Sequence, residues 1–158
     1  DLTPSNDYAG KGFNSGAYAM EKIKGKPLYQ ARKDGFTDNQ KKAFADALSQ
    51  LKTFHDNGFM HNDLHTGNVM LGDDGKATLI DFGSTWQNIP DKTKQRKKQL
   101  QDIGILAQFM SMGFQPIKQM TSDYIKDGRL ESQSEDEYNA FRNDVYKAFA
   151  DKFKEKYG

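Results

Sequence analysis

At 158 residues the chain is long enough for one domain that buries roughly 68–70% of its unfolded surface, and too short for two ordinary ones. Hydrophobic side chains make up 35%, and 14 glycines bring the apolar share close to the globular range, which excludes disordered and collagen-like classes. The net charge of +1 calls for no nucleic acid and no membrane as partner, and the absence of cysteine excludes disulfides and thiolate metal sites.

No apolar run approaches the roughly 18–20 residues of a spanning helix, and Asp1-Leu2-Thr3-Pro4 has neither the basic nor the apolar region of a signal peptide. The chain does not open on Met, which points to a processed product or a fragment. Residues 1–16, rich in Gly, Asn and Ser, read as a flexible arm, and order is expected from Ala17 onwards. Within the arm, Gly10-Lys11-Gly12-Phe13-Asn14-Ser15-Gly16 has the look of a phosphate loop. Its third glycine falls one place late for GxGxxG and no strand precedes it, so a turn-rich lead is the better reading.

Ala17 to Ile23 reads as a short strand closed by Gly25-Lys26-Pro27. Thr37 with Gln40 forms a capping box, and Phe44, Ala47, Leu48, Leu51 and Phe54 recur at helical spacing until Gly58. His61 to Asn68 is too polar and aperiodic for a regular element and reads as a loop. Val69-Met70-Leu71 and Ala77-Thr78-Leu79-Ile80, joined by Gly72-Asp73-Asp74-Gly75, read as a hairpin that delivers Asp81-Phe82-Gly83. A further helix is predicted from about Gln95 to Met112, with Ile103, Leu106, Ala107 and Met110 on one face. Ser134 with Glu137 caps a last one, striped by Tyr138, Phe141, Val145, Phe149 and Phe153.

The chemistry-bearing residues cluster around the hairpin. Asp63 and Asn68 share one loop, and the return of the hairpin brings Asp81 towards them. Two carboxylates and an amide oxygen are hard donors suited to Mg²⁺, which is commonly held by one or two carboxylates plus substrate phosphates. Phosphoryl transfer needs such a set, with a separate carboxylate to take or orient the proton of the attacking hydroxyl. His61 and His65 stand four apart, but Gly58 and Gly67 flank them and no HExxH is present, which argues against zinc.

His61-x-Asp63-x-x-x-x-Asn68 followed by Asp81-Phe82-Gly83 resembles the catalytic loop and metal-binding triplet of the protein kinase-like superfamily. The resemblance implies an α+β, mainly α fold: a kinase-like C-lobe over residues 17–158, with a hinge near 20–25, a catalytic loop at 61–68 and the triplet at 81–83. It implies ATP and Mg²⁺ as cofactors, Asp63 as catalytic base or hydroxyl-orienting group, Asn68 and Asp81 as metal ligands, and His61 as a support under the triplet. Met20-Glu21-Lys22-Ile23-Lys24-Gly25 resembles the interlobe hinge, with Met20 as gatekeeper and Glu21 and Ile23 giving the adenine its backbone contacts. Met70 and Ile80 would form the adenine floor and inner wall, and Asp102 resembles the buried helix Asp that holds the catalytic-loop backbone.

The chain departs from that pattern in four ways. The 20 residues before the hinge cannot hold a Gly-rich loop, a phosphate-gripping Lys and its Glu partner, so an N-lobe is absent or much reduced in this chain. Asn62 replaces the Arg that many kinases use to read a phosphorylated activation loop. The segment from Asp81 to Asp102 is short and lacks Ala-Pro-Glu, and His65 stands where Ser/Thr kinases place Lys. In these respects the chain is similar to aminoglycoside and choline phosphotransferases and to minimal bacterial effector kinases.

These departures leave the substrate class open; the expected acceptor is a protein Ser/Thr hydroxyl, with a small hydroxyl compound as the alternative. A third possibility is an inactive binding module whose open face is covered by an N-lobe segment or a partner protein. The expected location is cytoplasmic, in a host cell if the protein is a secreted effector. Lys92, Lys94, Arg96, Lys97 and Lys98 form the one basic cluster, read as a solvated helix start or as a dock for an acidic or phosphorylated partner.

Overall fold

Thr37 accepts a hydrogen bond from the Gln40 backbone N–H while the Gln40 side chain accepts one from the Thr37 backbone N–H. That reciprocal cap starts the first long helix of the computed structural model, which describes residues 25–158. The strand expected at 17–23, and Met20, Glu21 and Ile23 with it, lie outside the described residues.

The elements in order are β1 (Lys26–Pro27), α1 (Leu28–Asp34), α2 (Asp38–Asp56), β2 (Phe59–Met60), β3 (Val69–Leu71), β4 (Ala77–Leu79), β5 (Trp86–Gln87), α3 (Lys92–Met110), α4 (Gln115–Lys126) and α5 (Glu135–Tyr157). The predicted hairpin is β3–β4, paired antiparallel with Met70 opposite Thr78. Gly25-Lys26-Pro27, read as punctuation, supplies β1, which pairs with β3 through Lys26 opposite Leu71. Gly25 adopts φ +116, and a Cβ there would lie 2.2 Å from the Leu71 carbonyl oxygen, so this approach admits only glycine.

The helix expected at 95–112 runs from Lys92 to Met110, because the side chain of Asp91 caps Lys94 N–H three residues earlier than periodicity shows. Two helices were not anticipated. The seven-residue α1 is too short to show a period, whereas α4 carries a legible signal, Pro116 in its first turn and Ile117, Thr121 and Tyr124 on one buried face.

The core runs between α2, α3 and α5. Phe44 stacks on Phe153 with centroids 4.1 Å apart, and Phe149 meets both Phe44 and Phe114 at 5.5 Å. The sheet β1–β3–β4 turns Val69, Leu71, Ala77 and Leu79 inward. By the period of two, Met70, Thr78 and Ile80 share its other face. Among the described residues no helix is long and apolar enough to cross a membrane.

Candidate active site

His61 is fully buried, and its ring fixes the turn into the 81–83 triplet. Nε2–H donates to the Ile80 carbonyl at 2.8 Å and Nδ1 accepts the Asp63 backbone N–H at 3.2 Å, an assignment that follows from the carbonyl being acceptor only. The Phe82 ring leans on the same imidazole at 5.2 Å and on Phe54 at 5.7 Å. Ile80 N–H donates to the Asn68 carbonyl at 2.9 Å, extending the hairpin by one rung. Asn68 and Asp81 are thereby brought to the same end of the β3–β4 pair.

Asn68 is buried and its amide nitrogen donates to the Asp63 carbonyl at 2.6 Å, which closes the loop on itself and leaves the amide oxygen as the end available to a cation. The Asp63 carboxylate is half-exposed, with His65 Nε2 3.9 Å from its Oδ1. Asp81 is exposed and adopts φ 60, ψ 66, the left-handed region that a non-glycine residue rarely takes. Asn62, the residue in place of the usual Arg, adopts φ 69, which Asn tolerates better than a branched or bulky side chain. Its amide donates to the Ser84 carbonyl at 2.9 Å and so ties the catalytic loop to the segment after the triplet.

Beneath the loop lies Asp102, 1% exposed on α3. One carboxylate oxygen accepts the Asn62 backbone N–H at 2.9 Å; the other accepts the His61 backbone N–H at 2.8 Å and His55 Nε2–H at 2.9 Å. His55 Nδ1 in turn accepts from the Tyr146 hydroxyl at 2.6 Å. Burial lowers the His55 pKa against the pull of Asp102, and burial raises that of Tyr146, so the imidazole is neutral and the phenol is a donor. His55 and Tyr146 were not among the predicted site residues. The one sequence hint for His55 is its place four residues after Leu51 on the apolar stripe of α2; that it is buried, where Phe54 is half-buried, is decided by the packing.

Met70 and Ile80, predicted to line a nucleotide, are half-buried and share the outer sheet face. Asp63, Asn68 and Asp81 offer hard oxygen donors of the kind Mg²⁺ takes together with phosphate oxygens. Among the described residues there is no group of three or more His, Cys, Asp or Glu side chains placed to hold a metal ion.

This arrangement agrees with the comparison with known families, in which the model of the ABC1 atypical kinase-like domain matches residues 15–111. The chain belongs to this family. Its match spans the loop from His61 to Asn68, the hairpin and all of α3, and places the protein within the kinase-like superfamily.

Relatives share shorter stretches. Sperm motility kinase 3A of Mus musculus is 42% identical over 67 residues, covering 40% of this chain and 13% of that protein. Serine/threonine-protein kinase kin-29 of Caenorhabditis briggsae is 38% identical over 55 residues, 35% of this chain and 7% of its own length. Germinal center kinase 3 of Caenorhabditis elegans is 28% identical over 138 residues, 69% of this chain and 23% of the relative. The chain thus spans less than a quarter of each of these relatives.

Proposed function

We propose that the protein is an ATP- and Mg²⁺-dependent phosphotransferase that moves the γ-phosphoryl group to a protein Ser or Thr hydroxyl. The observation that carries this reading is the joining of Asn68 and Asp81 through the Ile80 N–H to Asn68 carbonyl bond, with Asp63 held on the same loop by the Asn68 amide. Magnesium bound by Asn68 and Asp81 would neutralise charge on the nucleotide phosphates.

Asp63 is the group that accepts or orients the acceptor's hydroxyl proton as the new O–P bond forms and the bond to the ADP oxygen breaks. Asp102 and His55 position it indirectly, since the backbone around Asp63 hangs from the Asp102 carboxylate. Met70 and Ile80 give the adenine an apolar floor, while Met20, Glu21 and Ile23 are assigned to its hinge contacts by resemblance alone. The kinases among the relatives, one of them named a serine/threonine-protein kinase, favour a protein acceptor.

A small hydroxyl compound is the second reading, favoured by His65 at the position after Asp63-Leu64 and by the short segment that reaches α3 through β5. Titration of the chain with ATP, with and without Mg²⁺, tests the shared premise. Binding that needs Mg²⁺ and is lost in Asp81→Ala, together with transfer abolished in Asp63→Ala at unchanged melting temperature, is the expected result. Transfer that survives both substitutions would overturn the assignment, and acceptor screening with peptides and aminoalcohols separates the two readings. Absence of nucleotide binding would leave the inactive binding module.

A further inference from the structure

The C-terminal end of α2 and the N-terminal halves of α3 and α5 line a half-open cavity of about 520 Å³. Its walls carry four cationic side chains, Lys52, Lys92, Arg96 and Arg142, against two carboxylates, Asp56 and Glu135. Asn and Gln amides supply much of the remaining lining. The acceptors do not match the donors. Asp56 alone faces both Lys52 and Arg142, and Glu135 stands 3.7 Å from Arg96. Lys92 pairs with no carboxylate among the described residues.

Arg142 is the decisive side chain. It is 2% exposed, its terminal nitrogens reach Gln99 and Asp56, and its Nε is buried without a hydrogen-bond partner among the described residues. With Gln99 and Asp56 on its terminal nitrogens and the Tyr138 ring 5.2 Å from its guanidinium carbon, Arg142 is held as a fixed cation in the cavity wall. The basic cluster predicted as one patch is divided by the fold. Lys94 and Lys98 rest over the Trp86 ring at 5.0 and 5.2 Å, Arg96 turns inward to the Leu130 and Gln133 carbonyls, and Lys92 lines the cavity.

We propose that this cavity is a binding site for a small phosphate-bearing molecule of two or more negative charges. The excess of two positive charges sets the ligand's charge, and guanidinium and ammonium donors with flanking amides match phosphate oxygens. The volume is many times a water's share of about 30 Å³, room for an organic phosphate rather than a single ion. The site shares no lining residue with the nucleotide site proposed above, yet it is joined to the 61–68 loop through His55 and Asp102. Gln99 lines the cavity and donates to the His55 carbonyl at 2.9 Å, and His55 also lines it while holding Asp102. Occupancy is therefore read by the residues that hang the catalytic loop.

The test is calorimetric titration of the full chain with pyrophosphate in EDTA, at fixed ionic strength, with sodium chloride as the control. Saturable binding is expected that weakens at least about tenfold, or about 1.4 kcal/mol, in Lys52→Ala/Lys92→Ala and that persists in Asp81→Ala. Lys92→Glu, a change at an exposed residue, is expected to weaken it likewise and serves should the double variant misfold. Binding that is absent, matched by chloride, indifferent to the lysine changes or lost in Asp81→Ala would overturn the proposal. The last outcome would place the anion at the catalytic loop and leave the nucleotide assignment standing.

Discussion

A single carboxylate, Asp102, accepts from two backbone N–H groups and one imidazole N–H, with no Lys or Arg paired to it among the described residues. Three donors offset the cost of taking its carboxylate out of water. The same burial keeps His55 neutral, and this has a pH signature. The folded state binds a proton at His55 only below the ordinary His value, whereas the unfolded chain binds it near 6.5. Between those values the unfolded state holds more protons, so stability is full above about pH 6.5 and falls as pH drops below it, by up to about 1.4 kcal/mol per unit. Melting temperatures of the protein and of His55→Gln between pH 7.5 and 5 should show the slope in the former and a flatter profile in the latter.

The elements are set by their ends as much as by their faces. Ser134 accepts from the Glu137 backbone N–H while the Glu137 carboxylate accepts from that of Ser134, and this hydrogen bonding lowers the Glu137 pKa. Ser134→Ala should cost about 1 kcal/mol, a fall of roughly 2–4 °C in melting temperature for a chain of this size, without altering the proposed ATP binding. Such caps were legible because the whole signal lies within four residues. Helix α4 was legible in principle from Pro116 and the Ile117, Thr121, Tyr124 face, and was missed because no cap residue marks its start. At the other end of α2, Gly58 takes φ +84, and a Cβ there would lie 1.8 Å from the Asn88 amide oxygen. That close approach lets β2 lie against β5, so the chain after the 81–83 triplet is anchored by a glycine whose sequence reading was only that it stops a helix.

Across the whole molecule, Phe149 is the point where α5 meets α2 and the turn at 112–114, touching Phe44 and Phe114. It is fully buried, and Phe149→Ala should cost about 3–5 kcal/mol and lower the melting temperature on the order of 10 °C. A loss within about 1 kcal/mol, measured by urea unfolding, would show that the α2–α5 seam is not the main support of the fold. Because Arg142 and Tyr146 lie on the same helix as Phe149, the seam also fixes the wall of the anionic-ligand cavity and the outer end of the His55 chain.

The sequence by itself determined the loop from His61 to Asn68, the hairpin and the two capping boxes, because each is written in residues near one another in the chain and their spacing is the signal. It also placed the protein in the kinase-like superfamily, through His61, Asp63, Asn68 and Asp81 in their order. Only the tertiary structure decided which polar side chains are buried. Asp102 finds His55 from 47 positions away, and His55 finds Tyr146 from 91. Arg142, a charged residue that composition assigns to the surface, is buried because its helix packs it against Gln99 and Asp56. A polar group enters a protein interior only where partners converge to satisfy it, and that convergence is a property of packed helices rather than of any stretch of chain.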